Sequence, residues 1–129
     1  MREIKFKVWD KENKKFITSI QGKTHINIDL NGNVYNLQDG SGGKERYELI
    51  EFTGLKDKNG KDIYEGDICN TRHHTNNFYY IGIIEYSGPN GQWFIHQKFP
   101  YEFDLCFEEI KEIEIIGNIY ENPELISHS

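Results

Sequence analysis

Apolar and polar positions alternate over short stretches of this chain, the period-two pattern of half-buried strands. Ile4, Phe6 and Val8 share one face, with the basic residues Arg2, Lys5 and Lys7 largely on the other, and after the polar run Asp10 to Lys15 an apolar strand resumes over Phe16 to Ile20. His25 to Leu30 alternates again and meets Asn31-Gly32, a pair that tolerates the positive φ of a two-residue hairpin turn, with Val34 to Leu37 as the return strand. Tyr47 to Phe52, Ile63-Tyr64 and Asp67 to Cys69 continue the series up to a polar loop at Arg72 to Asn77. Ile81 to Tyr86 and Trp93 to His96 form a predicted hairpin across Gly88-Pro89-Asn90-Gly91. Leu105 to Glu112 fits one or two amphipathic helical turns, Ile113 to Ile116 is a β-branched patch, and Asn122-Pro123 is the arrangement that opens a short helix.

These runs predict a mainly β fold of short strands at the spacing of a small barrel, and composition agrees. The 129 residues include 18 Ile, 8 Phe and 8 Tyr, but 6 Leu, 1 Met and no Ala. The best helix former is missing, while β-branched and aromatic residues dominate. The length predicts one domain and excludes a TIM barrel, which needs about 250 residues. Within it the glycine-dense segment Asp39 to Lys44 is the candidate joint between an N-terminal β-meander lobe, residues 1–38, and a barrel-like lobe, residues 47–129, with a short C-terminal helix.

Charge narrows the partners. The formal net charge is −6, and nucleic acid selects for lysine and arginine, so a nucleic-acid partner is disfavoured. The positive charge gathers in Met1 to Lys15 and the negative charge after Tyr101, a polarity suited to head-to-tail contacts between copies of the chain or to an attraction between the terminal segments of one chain. The N-terminus lacks the apolar core of a signal peptide and no run approaches the ~18 apolar residues that span a bilayer, so the expectation is a cytoplasmic protein without membrane contact. Cys69 and Cys106 are too few for a disulfide framework, and buried structural thiols are expected.

Candidate chemistry is sparse. Gly40 to Glu45 lacks the Lys-Ser/Thr pair and the leading glycine of a phosphate loop, and Asp57-Lys58-Asn59-Gly60 places its glycine too early for a calcium loop. Cys69, His73 and His74 could offer two ligands from one loop, but a closed zinc site needs four, and neighbouring histidines in a polar loop are expected to be solvent-exposed. Glu65 with Asp67, and Glu102 with Asp104, are carboxylate pairs on strand faces without a positioned partner. No catalytic residue, metal or cofactor is assigned, and the chain is read as non-enzymatic. Phe78, Tyr79, Tyr80, Trp93 and Phe94 cluster on the predicted hairpin as core, as interface anchors or as base-stacking rings, with core or interface favoured because few basic residues accompany them.

The segment Phe52 to Ile68, reading FTGLKDKNGKDIYEGDI, closely resembles the signature of the YopX-like proteins of bacterial phages and prophages. Arg2 to Asp10 resembles the family's start and Ile115 to Leu125 its ending. The resemblance implies a largely β phage or prophage accessory protein of uncharacterised role, assembling with itself into six-fold rings that pair, with no catalytic residues to carry over. The alternative is a nucleic-acid-binding module using the aromatic hairpin and the basic N-terminal segment. Within the signature, Gly54, Gly60 and Gly66 suit tight turns, Leu55, Ile63, Tyr64 and Ile68 supply apolar surface, and Asp57, Glu65 and Asp67 are turn carboxylates. Glu65-Gly66-Asp67-Ile68 also resembles the entry to the first strand of SH3-like barrels, which makes an SH3-like barrel the expected architecture.

Overall fold

A computed structural model describes residues 5–17, 26–28, 33–36, 46–74 and 78–127. They form a mainly β protein, with eleven strands, two single turns of 3-10 helix and no α-helix among the described residues. The chain divides into two compact units, Ile4–Glu51 and Phe52–Ser129 with the first three residues. The expected joint at Asp39 to Lys44 lies outside the described residues, and the units adjoin in sequence at Glu51 and Phe52, inside a single long strand.

In the Ile4–Glu51 unit, β1 (Phe6–Asp10) lies between β2 (Lys15–Ile17) and the first half of β5 (Tyr47–Lys56), antiparallel to both. β3 (Ile26–Ile28) and β4 (Val34–Asn36) pair as an antiparallel ladder, as their alternation predicts, while Asn31-Gly32 falls outside the described residues. Val8, Val34 and Tyr47 form the core with Ile17 and Leu49 against them. Asp10 ends β1 and is buried, because its carboxylate accepts the Glu12 and Asn13 amides at 3.0 and 3.2 Å and faces Arg46 at 3.5 Å. An Asp-initiated turn thus reverses the chain into β2.

In the Phe52–Ser129 unit, the second half of β5 pairs with β6 (Asp62–Tyr64). The remaining strands are β7 (Asp67–His73), β8 (Tyr79–Ser87), β9 (Gln92–Phe99), β10 (Phe103–Cys106) and β11 (Ile110–Asn118). They make one antiparallel sheet of order β10-β9-β8-β7-β11, a meander whose last strand returns to its first. That order, with a 3-10 turn (Phe107–Glu109) before the last strand, is consistent with the SH3-like expectation. Cys69, Ile84, Ile95, Ile113 and Ile115 project from one face and enclose the core with Ile63 of β6.

Two local expectations are corrected. Leu105 and Cys106 end β10, and Ile110 already starts β11, so only Phe107–Glu109 turns helically where up to two helical turns are predicted. Pairing with β7, from Ile110 opposite His73 to Asn118 opposite Asp67, satisfies the backbone there and buries Ile113 and Ile115 at the period of two. Arg72 and His73 are likewise the end of β7 and not loop residues. At the C-terminus Asn122-Pro123 opens one 3-10 turn, Pro123–Leu125. Among the described residues, no helix is long and apolar enough to cross a membrane.

Candidate functional site

The signature segment is a pair of turns stitched to distant strands. Asp57 is buried, and its carboxylate accepts the amides of Asn59 and Lys61 at 2.9 Å each and of Ile115 at 3.0 Å. Burial pushes its pKa up, but the Ile115, Lys61 and Asn59 amides outweigh this and hold it below the ordinary carboxylate value. The turn closes through Asp57 N–H to Lys61 O at 2.8 Å, with Gly60 at φ 82, and docks through Lys58 N–H to Ile113 O at 2.9 Å. Asp67, also buried, accepts the Tyr64 amide at 2.7 Å across the second turn. There Gly66 has φ 85, donates to Ile84 O at 2.9 Å and accepts the Ile119 amide at 2.9 Å, while a Cβ on it would stand 2.9 Å from the Tyr120 ring. Ile63 and Ile68 are fully buried, Tyr64 packs on Phe52 and Glu65 is half-buried in the turn, whereas Gly54 and Leu55 are exposed.

A polar patch interrupts the apolar sheet face at the end where β7 stops. The His73 ring stacks on Tyr80 at 4.4 Å between centroids, and Phe103 meets both rings edge-on at 5.7 and 5.3 Å. Gln97 of β9 donates to the Thr71 hydroxyl of β7 at 3.0 Å, and Thr71 donates to the Tyr80 carbonyl at 3.3 Å. β8 lies between those strands, and the missing side chain at Gly82, which pairs with both Cys69 and Gln97, leaves the path open. Because Thr71 spends its proton on Tyr80, it must accept from Gln97, which fixes the orientation of the amide. The Gln97 carbonyl oxygen and His73 Nε2 are buried without a hydrogen-bond partner among the described residues. His73 is therefore not the solvent-exposed loop residue expected from its polar neighbours, since burial in this aromatic stack holds its imidazole below the ordinary pKa against the opposing charge of Glu109. His74 beside it is exposed.

The aromatic candidates divide. Phe78 and Tyr79 are 65% and 53% exposed, Tyr80 is buried, and Trp93 and Phe94 are half-buried on β9. Phe99 and Tyr101 are 46% and 69% exposed at the same end of the sheet, where Phe99 pairs with Ile81 two residues along from Tyr79. On the other face of β9, His96 Nδ1 lies 2.6 Å from Asp104 and its Nε2 3.6 Å from Glu102. Among the described residues no cluster of three or more His, Cys, Asp or Glu side chains could hold a metal ion. Cys69 and Cys106 are free thiols, the first buried in the core and pushed up in pKa by that burial, the second pushed up to about 11 by Glu109 and Glu108.

The architecture is that of an antiparallel β protein in which the buried Asp57 carboxylate pins the first signature turn to a strand far along the chain. The chain belongs to the YopX family: the model described as YopX protein matches residues 5–127. Its fold is similar to the crystal structure of protein EF1440 from Enterococcus faecalis, with a TM-score of 0.64 and 24% identity over 98% of this chain and 100% of that one. It is also similar to the crystal structure of protein yopX from Bacillus subtilis, with a TM-score of 0.61 and 21% identity over the same shares of the two chains. No curated protein is a significant match to the sequence.

Proposed function

We propose that the protein is a non-enzymatic accessory protein of phage or prophage origin that works in the bacterial cytoplasm as a homo-oligomer. The observation that carries this reading is the set of exposed rings Phe78, Tyr79, Phe99 and Tyr101 at one end of the five-stranded sheet. Exposed Tyr and Phe side chains offer large contact area at low entropic cost, and a self-complementary patch of them suits association with identical copies. The buried carboxylates Asp57 and Asp67 are spent on backbone amides, which leaves them poor candidates for acid-base chemistry. Nucleic acid is the weaker reading, because the charged groups nearest these rings are mixed in sign, Arg72 over Tyr79 on one side and Glu102 beside Tyr101 on the other.

Sedimentation velocity tests it. The wild-type chain is expected to sediment as an oligomer and the Tyr79→Asp/Tyr101→Asp variant as a folded monomer. A wild-type monomer at high micromolar concentration would sink the proposal, and tight, salt-sensitive binding to DNA or RNA by that monomer would establish the alternative.

A further inference from the structure

We infer that His73 is an acid-sensing latch on self-association: stacked as a neutral ring with Tyr80 and Phe103, it holds the exposed aromatic rings in place, and its protonation releases the assembly. The inference rests on the reading of the protein as a homo-oligomer built on those rings, and supplies its regulation.

The latch and the proposed interface occupy the same two short segments. Phe78 and Tyr79 run directly into Tyr80, and Phe99, Tyr101 and Phe103 take alternate positions, so each segment carries exposed rings next to one ring of the stack. His73, the last residue of β7, stacks on Tyr80 at 4.4 Å and meets Phe103 at 5.7 Å, which ties the two segments together. The backbone ladder between β8 and β9 is irregular at this end, because Ile81 pairs with Phe99 while Gly82 already pairs with Gln97, stepping past Lys98. Such an irregularity disrupts the main-chain bonding locally, so the ring contacts carry more of the register there.

The stack is a poor host for a charge. His73 is 6% exposed, and its Nε2 is buried without a hydrogen-bond partner among the described residues. Burying an imidazolium with an unpaired N–H costs more than burying the neutral ring. The groups that face it from the adjoining elements are Tyr80 of β8, Phe103 of β10, Ile110 of β11, which pairs with it, and Glu109 of the 3-10 turn. Glu109 is the anion among them; it is exposed and accepts the Cys106 thiol at 3.0 Å, and burial outweighs its attraction for a proton on His73. His74, next in the chain and exposed, adds like charge once protonated.

His73 therefore takes a proton by turning its ring toward water, which frees Tyr80 and Phe103 and lets the two segments lose the register that presents the rings. Rings packed against a second copy resist that movement. The assembled chain accordingly binds the proton at lower pH than the free chain, and association weakens as the pH falls past the ordinary 6.5.

Sedimentation velocity of the full chain at pH 7.5 and pH 5.5 tests this. His73→Phe keeps a ring without the titrating nitrogen, and His96→Gln is the control, since His96 lies on the other face of β9 against Asp104 at 2.6 Å. The wild-type dissociation constant is expected to rise at least about tenfold at pH 5.5, that of His73→Phe less than about threefold, and that of His96→Gln as in wild type. A second measurement needs no change at His73: imidazole proton NMR should show it titrating at lower pH in the wild-type assembly than in monomeric Tyr79→Asp/Tyr101→Asp. A wild-type chain already monomeric at pH 7.5 removes the oligomer reading and this inference with it. An oligomer equally tight at both pH values, equal weakening of wild type and His73→Phe, or the same His73 titration in assembly and monomer would overturn the inference alone.

Discussion

The Asp57 carboxylate accepts the backbone amide of Ile115 at 3.0 Å, joining two residues 58 positions apart in the chain. One side chain thereby closes its own turn and anchors that turn to the last strand of the sheet. Asp57→Asn would keep one acceptor oxygen but turn an amino group toward an N–H that needs an acceptor. A loss of about 2 to 3 kcal/mol is expected in urea unfolding, the scale of a charged buried acceptor.

The same carboxylate sets an acid-side dependence. Its pKa in the folded chain lies below the ordinary 3.8, so the unfolded chain takes up the proton first. The stabilisation is complete above that ordinary value and disappears as the pH falls through the folded one. Asp10, likewise lowered, adds a parallel contribution from the other unit, with burial opposed by the Asn13 amide and Arg46. Stability profiles below about pH 5 should be flatter for Asp57→Asn than for wild type.

His73 acts at milder acidity. Its folded pKa lies below 6.5, so as the pH drops past that value the unfolded chain binds a proton that the folded chain refuses, and stability falls. His73→Phe would keep an aromatic ring against Tyr80 and Phe103 without the titrating nitrogen. Its urea midpoint should move less than the wild-type midpoint between about pH 7.5 and pH 5; an equal shift would assign the effect to other groups.

Gly82 tests the crossing over β8. A Cβ there would stand 2.8 Å from the His96 carbonyl oxygen and 2.8 Å from the Ile95 side chain, and backbone at that distance cannot rotate away. Gly82→Ala should cost about 1 to 3 kcal/mol in thermal or urea unfolding, the usual range for overpacking.

Thiol reactivity should separate the two cysteines. Cys106 donates to Glu109 at 3.0 Å and its pKa stands at about 11, so iodoacetamide at mildly alkaline pH should modify it slowly, and faster in Glu109→Gln. Cys69 should react only on unfolding. Labelling of Cys69 in the native protein at the rate of Cys106 would contradict its place in the core.

Much of this fold is legible in the sequence because a strand with one buried face records its orientation in its own residues. Val8 of β1, and Ile84 opposite Ile95 in the β8–β9 hairpin, needed no distant information, whereas Trp9 on the other face of β1 is buried as well and Phe6, on the face read as apolar, is exposed. Leu105 to Glu112 was ambiguous for a physical reason: its spacing admits a helix, and only pairing with β7 decides for a strand. His73 looked exposed because its sequence neighbours are polar, whereas its burial comes from Tyr80 and Phe103 on other strands. The role of Asp57 was half legible, since an Asp-x-Asn-Gly turn announces itself but the amide of Ile115 does not. Nothing local marks Gln97 as the partner of Thr71.

The return of β11 to β7 also orders events during translation. β7 to β10 leave the ribosome as a meander that can pair strand by strand with its predecessor. Until β11 has been made, the outer edge of β7 stands open to pairing with a neighbouring nascent chain, and Asp57 lacks the amide that holds its turn. Ribosomes translating the same message side by side would therefore present identical open edges to one another, and delivery of the last strand ends that exposure.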